Sequence, residues 1–371
     1  MMKKLSFVGG VVLSVITIGS GMAQTPAPLT PAQLEANKRV AMEFYRPGIT
    51  VEERIALIHK DYIQHNATYV KYAKDHNVSA HEAFSQIRRQ QAIDQAAGRA
   101  AVPGAAATGA PQGNTFHILY AEGDLVVRIA QRWNAVPGVP GRFYETFFWD
   151  TFQVKDGHLY QHWDAAVIAP PAGARAAVPA SAAPAQVPQP SQASLFGVPA
   201  LTTAPPAQAW PPPAVVPAAG CSATPAQVAA NKQVATAFFK TGITPEERLA
   251  LLDVSYVQHN PVFKKNAFDN KVSDYEAFKA LMAGFARGGA AGRGAPAGPQ
   301  PPAGEPLVRV VGACDVVTII HSVYDQDPTL PAGNFYEHFN YDTFRVRNGK
   351  LVEHWDGAAL PPVAAAARGV N

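Results

Sequence analysis

The chain has 371 residues, 47% hydrophobic and 16% charged, with 31 Lys and Arg against 28 Asp and Glu for a formal charge of +3. A balance that close to neutral, with no basic stripe interleaved with aromatics, gives no electrostatic support to a nucleic-acid or anionic-membrane partner. The two cysteines, Cys221 and Cys314, are too few for a zinc site of their own.

Lys3 and Lys4 precede an apolar run from Leu5 to Ile18 and then the small residues around Ala23. This is the pattern of a secretory signal over residues 1–23, and the run is shorter than the roughly 20 residues a bilayer needs. The expected location is secreted or periplasmic, off the membrane once the signal is cleaved. A first domain over residues 30–166 opens with Thr30-Pro31-Ala32-Gln33, an N-cap, a proline at the first helical position and a capping-box glutamine. Val40, Phe44 and Tyr45 supply an apolar helical face, Gly48 ends it, Thr50 to Glu53 start another helix, and a third is expected over Ser79–Gln91. After a Gly/Ala/Pro loop from Ala96 to Gly113 the period becomes two, predicting strands over Leu125–Trp133, Phe143–Val154 and Leu159–Ala165.

Residues 167–223 are Ala, Pro, Val, Gln and Ser with almost no charge, the composition of an extended linker. Beyond it, residues 224–362 repeat the first domain: NKRVAMEFYRPGIT returns as NKQVATAFFKTGIT, YIQHN as YVQHN, and the final hairpin as NFYEHFNYDTFRVRNGKLVEHWDGAA. A period this long means duplication of a whole domain. Each copy reads as α+β, with N-terminal helices on one face of an antiparallel sheet. One curved sheet covered by helices leaves its other face to be buried, so the copies are expected to pack as an intramolecular pseudo-dimer, with Trp163 and Trp355 near the interface. Both cysteines fall in the second half, where they could pair in an oxidising compartment; sequence supplies no distance.

Register decides whether the polar residues of the last hairpin converge. A two-residue Asn348-Gly349 loop would set Asp342 opposite Trp355, and a three-residue loop ending in a Gly349 bulge would set it opposite His354. The second is expected. It places Val352, Phe344 and Val346 on one face with Asn340, Asp342, His354 and Asp356, and in the first copy Asp150 opposite His162 with Asp164 next. Carboxylates and an imidazole opposed on a buried face suit general acid/base chemistry, or a polar pair that only fixes register.

The combination of YVQHNP, DVVTIIHS and DTFRVRNGKLVEHWD resembles the SnoaL-like family of polyketide cyclases and predicted aldol-condensation enzymes, within the nuclear transport factor 2-like superfamily. That resemblance implies two tandem cone-shaped domains, each with helices and a strongly curved sheet around an apolar cavity. It also implies ring closure by aldol condensation with no cofactor and no metal. By motif position the acid/base aspartate is Asp356, or Asp164 in the first copy. Its partner falls at Asp342 or Asp150, where the cyclases often carry His.

Tyr256, His259 and Asn260, read as the end of a helix, and their counterparts Tyr62, His65 and Asn66, are candidates for the cavity mouth; Asn260-Pro261 also reads as a plain helix stop. His321, His338 and Asn340, against Ala130, Thr146 and Phe148, make the second cavity the more polar. His259, His321, His354 and Asp356 suffice for zinc in number, but no tight His spacing supports a metal. The expected partner is a small apolar molecule, either a substrate for proton abstraction α to a carbonyl or a ligand held without chemistry.

Overall fold

In the computed structural model the described residues are 29–98, 116–135, 143–169, 223–287, 299–304 and 307–360. The expected signal segment over residues 1–23, most of the expected linker, Cys221 and most of the Gly/Ala/Pro loop from Ala96 to Gly113 therefore lie outside them. Cys314 is disulfide-bonded.

The first half runs α1 (Pro31–Glu43), α2 (Val51–Ala56), β1 (Ile58–Gln64), α3 (Ala67–His76), α4 (Ala80–Ala96), β2 (Phe116–Glu122), β3 (Leu125–Ala135), β4 (Phe143–Lys155) and β5 (His158–Asp164). The second repeats that order as α5 (Pro225–Ala237), α6 (Pro245–Ala250), β6 (Leu252–Gln258), α7 (Pro261–Asn270), α8 (Asp274–Arg287), β7 (Arg309–Ala313), β8 (Val316–Gln326), β9 (Phe335–Arg347) and β10 (Lys350–Asp356). The capping boxes expected at Thr30, Thr50, Thr224 and Thr244 are all formed. Each half is α+β with one five-stranded sheet, ordered β1-β5-β4-β3-β2 and β6-β10-β9-β8-β7.

Three elements per half differ from the sequence reading: β2 and β7 are outer strands that it did not include, and the other two adjoin each other. The segments ending in Gln64 and Gln258 are strands, β1 and β6, that pair parallel to β5 and β10, so His259 and Asn260 follow a strand and lead into a helix. Asn66 is the N-cap of α3, its side chain accepting from the Thr68 and Tyr69 amides, and Asn260 accepts from the Val262 and Phe263 amides in the same way. The Asn260-Pro261 pair starts α7 instead of stopping a helix, because proline at a first helical position lacks only an N–H that would have had no partner.

The final hairpins also correct the expected register. Asp156 and Gly157 have φ of 51° and 74°, and Asn348 and Gly349 have φ of 50° and 73°. Both central residues are left-handed, which defines a two-residue type I′ turn whose twist matches the strands. Leu351 faces Val346 next to the turn, then Val352 is an unpaired bulge, and beyond it Glu353 faces Arg345, His354 faces Phe344 and Asp356 faces Asp342. Tyr160 is the matching bulge, so Phe152 faces His162 and Asp150 faces Asp164. The aspartates therefore oppose each other, and Leu351, not Val352, joins the apolar wall. The bulge restores the parity that the short turn would have reversed.

Each sheet buries its two faces differently. Phe44, Phe84, Val126, Phe152 and Leu159 form the helix-side core of the first half, and Phe238, Phe278, Val317, Phe344 and Leu351 that of the second. A further buried cluster draws on both halves, combining Ile129, Trp149 and Trp163 with Ile320, Tyr341 and Trp355. Trp149 stacks on Tyr341 at 5.9 Å and its indole N–H donates to Thr343 Oγ1 at 2.9 Å. Tyr120 donates to the Val311 carbonyl at 3.1 Å. The segments after the last strands cross over reciprocally: Ile168 N donates to the Tyr336 hydroxyl and Leu360 N to the Tyr144 hydroxyl, each at 3.2 Å.

Candidate functional site

On the helix side of the second sheet, the bulge brings Asp342, His354 and Asp356 together. His354 Nε2 lies 2.8 Å from Asp342 Oδ1, and His321, from β8, places its Nε2 3.1 Å from Asp342 Oδ2. Asp356 accepts from the Asn260 amide at 3.0 and 2.8 Å and from the Ala358 backbone at 3.0 Å. Gln258, whose side chain was not among the expected site residues, contacts His354 Nδ1 at 2.9 Å. Tyr256 is buried beside the cluster, and burial followed by the charges of Asp356 and Asp342 pushes its hydroxyl well above the usual tyrosine range.

Burial by itself would raise the Asp342 carboxyl, but hydrogen bonds from His321 and then His354 outweigh it and hold the group at about 2. Asp342 is thus a fixed anion at neutral pH. The ring of His354 stacks on Phe344 at 4.4 Å and 8°, and Phe239 packs 4.4 Å from His321, so the cluster sits against an aromatic wall.

The first half builds the same frame with different charges. His162 Nε2 lies 3.1 Å from Asp150 Oδ1, Asn66 donates to both Asp164 oxygens at 3.0 and 2.8 Å, and Tyr62 and Gln64 repeat the Tyr256 and Gln258 pair. Ala130 stands where the second half has His321, and Arg128, directly opposite Asp150, supplies the cation instead, with Nη1 2.5 Å from Asp150 Oδ2. Its guanidinium also lies 3.7 Å over the Tyr45 ring. Burial opposes ionisation of Asp150, but the His162 hydrogen bond and the Arg128 charge prevail and hold it at about 2. Composition alone predicts the first half as the less polar, but Arg128 gives its cluster a fixed cation and the cluster is the more buried of the two. The Asp150 side chain is 3% exposed and that of Asp342 is 18% exposed.

Four expected site residues lie elsewhere. His65 and His259 sit on the opposite sheet face, because each follows an inward glutamine. His259 stacks on Trp355 at 4.9 Å, with Nδ1 3.2 Å from Glu145 of the first half and Nε2 2.9 Å from Glu353. His65 stacks on Trp163 at 4.6 Å and meets the edge of Phe339 of the second half. His338 pairs with Asp325 at 2.9 Å, toward the far end of β9, and Asn340 is exposed.

As potential cation ligands, Asp342, His354 and Asp356 bring donor atoms within 4.8 Å of one another, as do Asp150, His162 and Asp164. In the first half Arg128 already neutralises Asp150. Two surface depressions, of about 420 Å³ beside Tyr72, Gln86 and Ile93 and about 330 Å³ beside Lys240, Gly242 and Leu251, include no member of either cluster. Among the described residues, no helix is long and apolar enough to cross a membrane. No protein-family model matches the chain, and no curated protein matches it.

Proposed function

We propose that this chain is an exported SnoaL-like protein, an intramolecular pseudo-dimer of two cone-shaped domains, whose second-half cluster performs cofactor-independent acid/base chemistry on a small apolar carbonyl compound. In this reading Asp356 accepts a proton α to the carbonyl. The enolate then attacks a second carbonyl carbon or takes the proton back at another position, so nothing is oxidised or reduced. Asp342, held by His321 and His354, stays ionised below it.

The observation that carries the reading is the contrast between two copies of one frame. In the first, Arg128 fills the space against Asp150 and the cluster is buried. In the second, Ile319 stands opposite the aspartate and a partly exposed His321 approaches it from two residues along the strand, on the same face. Aromatic residues Phe239, Phe263 and Phe278 on the helix side suit an apolar substrate. A second reading, binding without chemistry, draws on one specific fact: three N–H contacts already engage the Asp356 carboxylate, which leaves few lone pairs for a substrate proton.

Hydrogen–deuterium exchange separates the two. With 2-methylcyclohexanone in D₂O, the acid/base reading expects protein-dependent exchange at the α carbons, followed by NMR. Binding of the ketone with no exchange above buffer would favour the ligand carrier.

A further inference from the structure

The repeated Tyr-x-Gln-His-Asn segment contains a buried glutamine in each half to which the acid/base scheme assigns no role. Gln258 is 0% exposed and Gln64 6% exposed. The Gln258 side-chain carbonyl accepts from the backbone amides of His259 at 2.9 Å and Asn260 at 3.0 Å. Two N–H donors fix which end of the amide is oxygen, since the reverse placement would press an NH₂ group against both. The NH₂ end therefore points the other way, donating to the Tyr256 hydroxyl at 3.1 Å and to His354 Nδ1 at 2.9 Å.

An amide hydrogen aimed at Nδ1 requires a lone pair there, so the imidazole proton is on Nε2. That atom lies 2.8 Å from Asp342 Oδ1, an acceptor only. Both ends of the ring agree. The first half repeats every contact: Gln64 accepts from His65 and Asn66 amides at 2.9 Å each, donates to Tyr62 at 3.1 Å and meets His162 Nδ1 at 3.3 Å, and His162 Nε2 lies 3.1 Å from Asp150.

We propose that Gln258 and Gln64 are positioning residues that hold His354 and His162 as the Nε2–H tautomer, each donating to its aspartate. Resting on the acid/base reading, this makes His354 a fixed donor to Asp342 and leaves Asp356 as the group that exchanges a proton with substrate. It also removes the Nε2 lone pair through which His354 would ligate a cation together with Asp342 and Asp356. The segment then has a role for three of its conserved-in-both-copies side chains: the tyrosine hydroxyl receives one amide hydrogen, the glutamine sets the tautomer, and the asparagine caps a helix while holding the second aspartate.

The test is the imidazole nitrogen spectrum of uniformly ¹⁵N-histidine-labelled full-length protein at about pH 8, above the ordinary imidazole range, with His354 assigned by its loss in His354→Gln. The expected result is a bare Nδ1 and a protonated Nε2 for essentially the whole population. In Gln258→Glu a carboxylate faces Nδ1 in place of the amide while Asp342 still faces Nε2, so Nδ1 should gain a proton beside the one on Nε2 and His354 should read as the doubly protonated imidazolium. A wild-type spectrum with Nδ1 protonated, or an even mixture of tautomers, overturns the proposal, as does a folded Gln258→Glu with an unchanged tautomer. If that variant does not fold, the wild-type spectra of His354 and His162 decide alone. Neither readout involves a substrate, so this result and the ketone exchange can fail independently.

Discussion

Replacing Arg128 with Met should destabilise the protein more than any other single change on the polar face of the first sheet. Its partner Asp150 is 2% exposed and is held at about 2 against an ordinary 3.8, despite burial, by His162 and Arg128. A carboxyl depressed that far contributes about 2 kcal/mol to stability at neutral pH. Removing the guanidinium also strands a buried anion, for which about 3–5 kcal/mol is the usual cost. The sign with pH follows from the depressed value: the contribution is complete above the ordinary carboxylate range and is lost as pH falls from about 4 to about 2. In Arg128→Met, Asp150 has lost its cation and takes up a proton sooner, so the deficit relative to wild type should be largest near neutrality and narrow toward about pH 4. Urea unfolding followed by the fluorescence of Trp149 and Trp163 reads this as a lower midpoint at unchanged slope. A loss under about 1 kcal/mol at neutral pH, or a deficit that widens on acidification, would refute the reasoning.

The two interface histidines should respond to pH with opposite signs. Burial lowers the His259 pKa, but its hydrogen bonds to the Glu145 and Glu353 carboxylates outweigh it and leave it raised, so its contribution is present below about 6.5 and is lost as pH rises through the folded value. Burial leaves His65 lowered, so its contribution is present at higher pH and lost on acidification; unfolding midpoints of His259→Gln and His65→Gln against pH check both slopes. Trp149→Phe removes the indole donor to Thr343 and should cost about 1–3 kcal/mol, measured in the same urea series. Gly349→Ala should cost about 1 kcal/mol, because φ is +73° while nothing lies within 4 Å of an added Cβ; no measurable change would mean that the turn relaxes to another type.

Helix starts were legible because capping chemistry is local: Thr30, Thr50, Thr224 and Thr244 each carry their Gln or Glu three residues on. The last three strands of each half were legible from their alternation. The edge strands were not: β1 and β6, IHKDYIQ and LDVSYVQ, bury one face and directly follow a helix, and β2 and β7 at the other edges are only 7 and 5 residues long. The hairpin register failed at one residue. Asp156-Gly157 and Asn348-Gly349 are the signature of a two-residue turn, but Tyr160 and Val352 carry no mark of the bulge that follows, and that bulge decides which aspartates face each other. The exchange of Arg128 for His321 as counter-charge was hidden for a related reason: the two sit at different steps along equivalent strands, so aligning the repeats column by column sets Arg128 against Ile319 and His321 against Ala130. Gln64 and Gln258 lay inside a motif already noticed, but an uncharged amide gives no signal of chemistry until its partners are in place.

The central claim is that one half works and the other is its closed copy, with Asp356 as the base. Exchange of 2-methylcyclohexanone α protons in D₂O, compared among wild type, Asp356→Asn and Asp164→Asn, tests it most directly. The account predicts a fall of about 10²–10⁴-fold in the protein-dependent rate for Asp356→Asn, the usual worth of a positioned general base, and a rate within about threefold of wild type for Asp164→Asn, whose cluster is buried and whose Asp150 is paired with Arg128. Equal losses from the two substitutions, or an Asp356→Asn rate indistinguishable from wild type, would contradict it.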